Sequence, residues 1–82
     1  MIWMVEVKVL GTGCATCKML ELMVKKTVEK LGLDADVEYV QDIDRILEYG
    51  LLMTPALVIN GEVKMNGRLP SEERLIKLLQ AA

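Results

Sequence analysis

Between Leu10 and Cys14 the hydrophobic pattern of this chain changes its period, and two glycines stand at the change. Ahead of it, Ile2 to Leu10 alternates. Trp3, Val5, Val7 and Val9 fall on one side, and Met4, Glu6, Lys8 and Leu10 on the other. Period two with β-branched residues predicts a strand. Beyond it, Cys17, Leu20, Val24, Val28 and Leu31 recur at spacings of three and four, with Met19 and Met23 beside them. That predicts an amphipathic helix, with both methionines filling gaps in the core. Lys18, Glu21, Lys25, Lys26, Glu29 and Lys30 fall mostly on the opposite, solvated side. Gly32 marks the stop, with Lys30 in the last turn, where the helix dipole favours a cation. Gly11-Thr12-Gly13 permits the sharp turn that joins the two elements.

The other elements follow from their punctuation. Ala35 to Val40 is short and β-prone, with Val37 and Tyr39 facing opposite to Glu38 and Val40. Asp42 is a good N-cap, Ile43, Ile46 and Leu47 offer a narrow apolar face, and Gly50 ends that helix. Ala56 to Ile59 is an apolar strand entered through Thr54-Pro55, and proline is tolerated at a strand's first position. Asn60-Gly61 signals a two-residue hairpin leading into Glu62 to Asn66. After the loop from Gly67 to Pro70, Ser71 caps a helix. Glu72 and Glu73 stand in its first turn, and Leu75, Ile76, Leu78 and Leu79 face inward. The first strand-helix-strand unit should cross over right-handed and pair in parallel. An α/β fold of order β-α-β-α-β-β-α follows, with a four-stranded mixed sheet and helices on both faces.

The chain has 82 residues, so residues 1–82 are expected to form a single domain, below the ~100–150 residues of a common one. With 10 Lys+Arg against 12 Asp+Glu and only Trp3, Tyr39 and Tyr49 as aromatics, it makes a poor nucleic-acid binder. The longest mostly apolar stretch, Leu51 to Ile59, is far short of the ~20 residues that span a membrane. Glu6 and Lys8 interrupt the only early apolar run, so no export signal is read and a cytoplasmic location is expected. No apolar run is left without a place in the fold, which points to a monomer. There is no histidine, which removes Ser-His-Asp and Cys-His catalysis and Cys₂His₂ zinc sites together.

The chemistry lies at Cys14 and Cys17, three residues apart where the glycine turn enters the helix. The first N–H groups of a helix lack intrahelical partners, and the dipole adds a partial positive charge. Both favour a thiolate at Cys14, and Lys18, four residues on, can add its ammonium. A Cys14 thiolate can attack a disulfide, and Cys17, one turn deeper, can resolve the mixed disulfide. Other uses of the pair compete. A structural disulfide would close too short a loop to constrain the unfolded chain much. Zinc wants about four ligands. Copper(I) suits soft thiolates, but the carriers that place Cys-x-x-Cys after a first strand end in a strand, and this chain ends in a helix. A buried inert pair is the remaining possibility.

Taken together, the chain resembles the thioredoxin-like disulfide oxidoreductases, most of all the small archaeal and bacterial thioredoxins. Cys14-Ala15-Thr16-Cys17-Lys18-Met19 stands where thioredoxins read Cys-Gly-Pro-Cys-Lys-Met. Thr54-Pro55, an apolar strand and Asn60-Gly61 look like the family's cis-proline loop and hairpin, and Gly67 leads to a closing helix. The Gly11-Thr12-Gly13 turn is similar to that of the small subgroup, and the likeness covers essentially the whole chain.

The resemblance implies a minimal thioredoxin fold and a protein-disulfide oxidoreductase with no cofactor and no bound metal. Cys14 would be the nucleophile and Cys17 the resolving thiol. Pro55 would be cis, and Thr54 would hydrogen-bond an extended substrate segment. Met53, with Leu51 or Leu52, suits an apolar docking rim as well as a core role. The partners implied are protein disulfide substrates and a reductase that restores the dithiol. Three departures stand out. Gly13 replaces the usual tryptophan, Lys8 the usual buried acid, and Asn66-Gly67-Arg68-Leu69-Pro70-Ser71 the glutathione-holding motif of glutaredoxins. Glu6 is the nearest other acid on that strand face. Glutathione dependence is disfavoured.

Overall fold

Strand β1 (Val5–Leu10) is the axis of the molecule. On one side it pairs in parallel with β2 (Ala35–Val40), in a register running from Val5 opposite Ala35 to Leu10 opposite Val40. On the other it pairs antiparallel with β3 (Ala56–Ile59), which continues antiparallel to β4 (Glu62–Asn66) with an irregularity between Leu57 and Val58. The resulting order is β2-β1-β3-β4. These features come from a computed structural model that describes residues 4–50 and 53–82. The expected start of β1 at Ile2 and Trp3 lies outside the described residues, and Met4 precedes the strand.

Alternation on the strands builds two cores. Val7, Val9, Leu57 and Ile59 are buried on the face covered by α1 (Ala15–Leu31) and α3 (Glu72–Gln80), against Leu20, Val24, Leu75 and Leu79. Leu10, Ala56 and Val58 point the other way, to Val40 and to Ile46 of α2 (Ile43–Glu48). Helices therefore cover both faces of a mixed sheet, in the expected β-α-β-α-β-β-α order.

The punctuation acts as expected. Cys14, Asp42 and Ser71 N-cap their helices, the side chains accepting from the N–H groups of Cys17, Asp44 and Arg74. Gly32 closes α1 in a left-handed conformation, its N–H donating to the Glu29 carbonyl. Asn60 and Gly61 both take positive φ, as a tight hairpin requires, and Ile59 pairs with Glu62 across them. Asn60 also locks the hairpin to β1. Its Oδ1 accepts the Glu6 N–H at 3.0 Å and its N–H donates to the Glu6 carbonyl at 2.8 Å.

Two helix faces are narrower than expected. Met19 is 54% exposed, whereas Met23 packs on the core. At ~100° per residue, Met19 lies about 130° from the centre of the Cys17–Leu20–Val24 stripe, beyond the sheet's reach. In α2 only Ile46 is buried, and Ile43 and Leu47 are exposed. A helix of six residues turns less than two full turns, so one side chain can meet the sheet squarely.

Candidate active site

The parallel pair β1–β2 ends where α1 begins, and the described chemistry gathers at those carboxyl ends. Cys14 is the N-cap of α1 and is exposed, while Cys17, one turn in, is fully buried. The Cys17 N–H donates to Cys14 Sγ at 3.2 Å, so one of the helix's orphan donors points at the exposed sulfur. The two thiols are unbridged.

Cys17 sits in a web of donors. Burial pushes its thiol up, but the Cys14 side chain, the backbone groups of Thr12 and Cys14 and the Thr54 side chain all hydrogen-bond toward it. Together they bring it below its ordinary value. None of these hydrogen bonds comes from a carboxylate. Lys8, at the position where the resemblance expects a buried acid, lines a cleft with Arg45, Glu48 and Tyr49. Glu6 is exposed at the Asn60 hairpin. A relay through either residue to Cys17 has no structural basis.

The second wall of the site is the loop before β3. The Thr54–Pro55 peptide is cis, Pro55 is buried and Thr54 is half-buried beside Cys17. The Pro55 carbonyl accepts the Gly67 N–H at 2.8 Å, tying this loop to the turn after β4. Met53 is 59% exposed and its Cε lies against Gly67, so it stands on the rim rather than in the core. The expected contribution of Leu51 or Leu52 to that rim lies outside the described residues. Gly13 and Lys18 flank Cys14 in sequence. Gly13 has φ of 86° and donates its N–H to Tyr39 Oη at 3.1 Å, and Lys18 is exposed on the first turn of α1.

Gly11, Tyr39 and Gln41 belong to the site, although the sequence patterns pointed elsewhere. A Cβ on Gly11 would fall 2.6 Å from Cys17 Cβ, so only a glycine lets the loop lie against that side chain. The Gln41 side chain approaches Gly13 and the Tyr39 hydroxyl. The parallel register, which sets Tyr39 beside Val9, is the signal that could have found it. Among the described residues no group of three or more His, Cys, Asp or Glu side chains is placed to hold a metal ion, and no helix is long and apolar enough to cross a membrane.

Comparison with known proteins agrees with this arrangement. A thioredoxin domain family model matches residues 5–80. A thioredoxin from Methanothermobacter thermautotrophicus is 43% identical over 76 residues, covering 93% of this chain and 99% of that protein. A thioredoxin from Methanocaldococcus jannaschii is 35% identical, covering 95% of this chain and 90% of its own. Among solved structures, a point-mutant thioredoxin from Halobacterium salinarum superposes with a TM-score of 0.73 at 26% identity, over 94% of this chain and 73% of that one. On sequence and on fold alike, this chain belongs to the thioredoxin family of thiol-disulfide oxidoreductases.

Proposed function

We propose that residues 1–82 act as one domain that exchanges protein disulfides through the Cys-Ala-Thr-Cys pair, with Cys14 as nucleophile and Cys17 as resolving thiol. The observation that carries this reading is the asymmetry of the pair: an exposed sulfur capping α1, and a buried one a turn behind it. The Cys14 thiolate attacks a substrate disulfide, forming a Cys14–substrate bond and releasing one substrate thiolate. Cys17 then attacks Cys14 Sγ, forming the Cys14–Cys17 disulfide and releasing the second. Thr54 and Pro55 present an extended edge to the substrate backbone, Met53 adds an apolar contact, and Gly13 and Lys18 support the Cys14 end. A partner reductase reverses the two steps. A cytoplasmic setting, a monomeric state and independence of glutathione accompany this reading.

Replacing one sulfur at a time tests it. Cys17→Ser should accumulate a mixed disulfide with an oxidised protein substrate through Cys14, and Cys14→Ser should not. Equal trapping by the two variants overturns the assignment of roles. If the unmodified pair forms no intramolecular disulfide in any thiol-disulfide buffer, the exchange reading itself fails.

A further inference from the structure

Cys17 Sγ has a neighbour from a different element. A Cβ on Gly11 would lie 2.7 Å from Cys17 Sγ and 2.9 Å from Tyr39 Oη, so sulfur and phenol oxygen border the same empty position beside the glycine. The phenol oxygen already accepts the Gly13 N–H at 3.1 Å, which leaves its own proton to be donated. Tyr39 arrives there because β2 runs parallel to β1 and ends at the same level, beside the start of α1.

We propose that Tyr39 is a further catalytic residue, whose hydroxyl donates a hydrogen bond to the Cys17 sulfur and stabilises its thiolate. This rests on the exchange reading given above. In the first step the Cys17 proton passes to the departing substrate thiolate, or to solvent where that thiolate is a weak base. In the second, the Cys17 thiolate, held by the Tyr39 hydroxyl, attacks Cys14 Sγ. The Cys14–Cys17 bond forms, and the electron pair of the Cys14–substrate bond leaves with the second substrate thiolate. In the reverse direction the same hydroxyl stabilises Cys17 as the leaving group. Tyr39 keeps its proton throughout.

The surroundings fit a permanent donor. Burial raises the phenol above its ordinary value, and Cys17 raises it further, against the opposing pull of the Gly13 N–H and the Gln41 side chain. Facing Cys17 are the Cys14 thiol and N–H, the Thr12 backbone, the Thr54 side chain and Tyr39. Among the described residues, the titratable groups of this cluster are Cys14, Cys17 and Tyr39.

Dithiobis(nitrobenzoate) separates the steps, because each releases one coloured thiolate and the chain has only these two cysteines. With Tyr39→Phe, the first release should keep its rate. The second should slow about tenfold at neutral pH, the scale of one hydrogen bond to a charged group. Its rise with pH should move upward, the two proteins converging once Cys17 is fully ionised. An unshifted pH profile, or slowing confined to the first release, overturns the proposal. Absence of a second release in the unsubstituted protein would instead overturn the exchange reading. A measurement without substitution guards against misfolding. The hydroxyl-bearing ring carbon of Tyr39, labelled with carbon-13, should shift as Cys17 titrates in the reduced protein and not in the oxidised one, with Tyr49 as internal control. A flat Tyr39 signal in the reduced protein counts against the hydrogen bond.

Discussion

The Cys17 N–H points at Cys14 Sγ, 3.2 Å away, so the two cysteines are joined by backbone geometry before any disulfide forms. The arrangement leaves Cys14 open to reagents and seals Cys17 under Gly11. Reduced protein treated briefly with iodoacetamide should therefore carry one label, on Cys14, with Cys17 modified at least tenfold more slowly, since alkylation needs a sulfur that the reagent can reach. Mass spectrometry of the peptide spanning both residues checks this. Labelling of Cys17 at a comparable rate would mean that the helix start opens readily.

A second consequence concerns pH. Cys17 titrates below its unfolded value despite burial, because its hydrogen-bond partners outweigh desolvation. An acid whose folded value is depressed adds stability that is fully present above the unfolded value and is lost as pH falls through the folded one. The unfolded state holds the extra proton in that window, so stability of the reduced protein should rise with pH toward the free cysteine value of about 8.5. The slope for a single proton is at most about 1.4 kcal/mol per pH unit. Urea unfolding across this range checks the sign. Cys17→Ser should flatten the rise.

Much of this site could be read along the chain. Cys14 and Cys17 straddle a helix start marked by glycines, and Thr54-Pro55 precedes an apolar run, so local spacing carries them. The neighbours of Cys17 were legible only in part. Tyr39 was placed on the correct face of β2, but its meeting with Cys17 depends on where two parallel strands end, and that depth is set by the crossover rather than by periodicity. Gly11 looked like a turn residue and is instead the space into which Cys17 packs. The misjudged Met19, Ile43 and Leu47 share one cause. Spacing tells which residues share a helix face, not how wide a strip of that face the sheet covers.

Gly11 yields the sharpest stability prediction. The Cβ of Gly11→Ala would meet the Cys17 Cβ and Sγ, both belonging to a fully buried side chain on a helix anchored in the core. Neither can retreat without moving the start of α1. Overpacking of this kind costs about 1–3 kcal/mol, and guanidinium unfolding should show that loss. The strain falls on the site itself, so the Cys14–Cys17 reduction potential should shift too. Alanine in place of the exposed Thr12 should leave stability nearly unchanged.

Asn60 ties the hairpin to β1 in two ways, by backbone and by side chain. Asn60→Ala removes the Oδ1 acceptor for the Glu6 N–H and puts a poorer residue at a φ of 51°. Each effect is worth about 1 kcal/mol, so thermal unfolding should fall by several degrees, with disulfide exchange intact at ambient temperature. Asn60→Gly should recover the backbone share alone. A variant as stable as the parent would show that the link to Glu6 contributes nothing.

Met53 offers the opposite dissociation. Its side chain is 59% exposed on the rim beside Thr54 and Pro55, with its end resting on Gly67. Truncation removes apolar contact area from whatever docks there and opens no core cavity. Met53→Ala should therefore raise KM for a protein disulfide by about three- to tenfold, the scale of burying one or two methylenes, with little change in kcat. The melting temperature should stay within about 2 °C of the parent, as for surface substitutions. A small disulfide that touches only Cys14 is the control, since it cannot reach the rim. If the variant loses activity equally toward the small and the protein disulfide, Met53 acts by shaping the Thr54–Pro55 loop and not by contacting substrate.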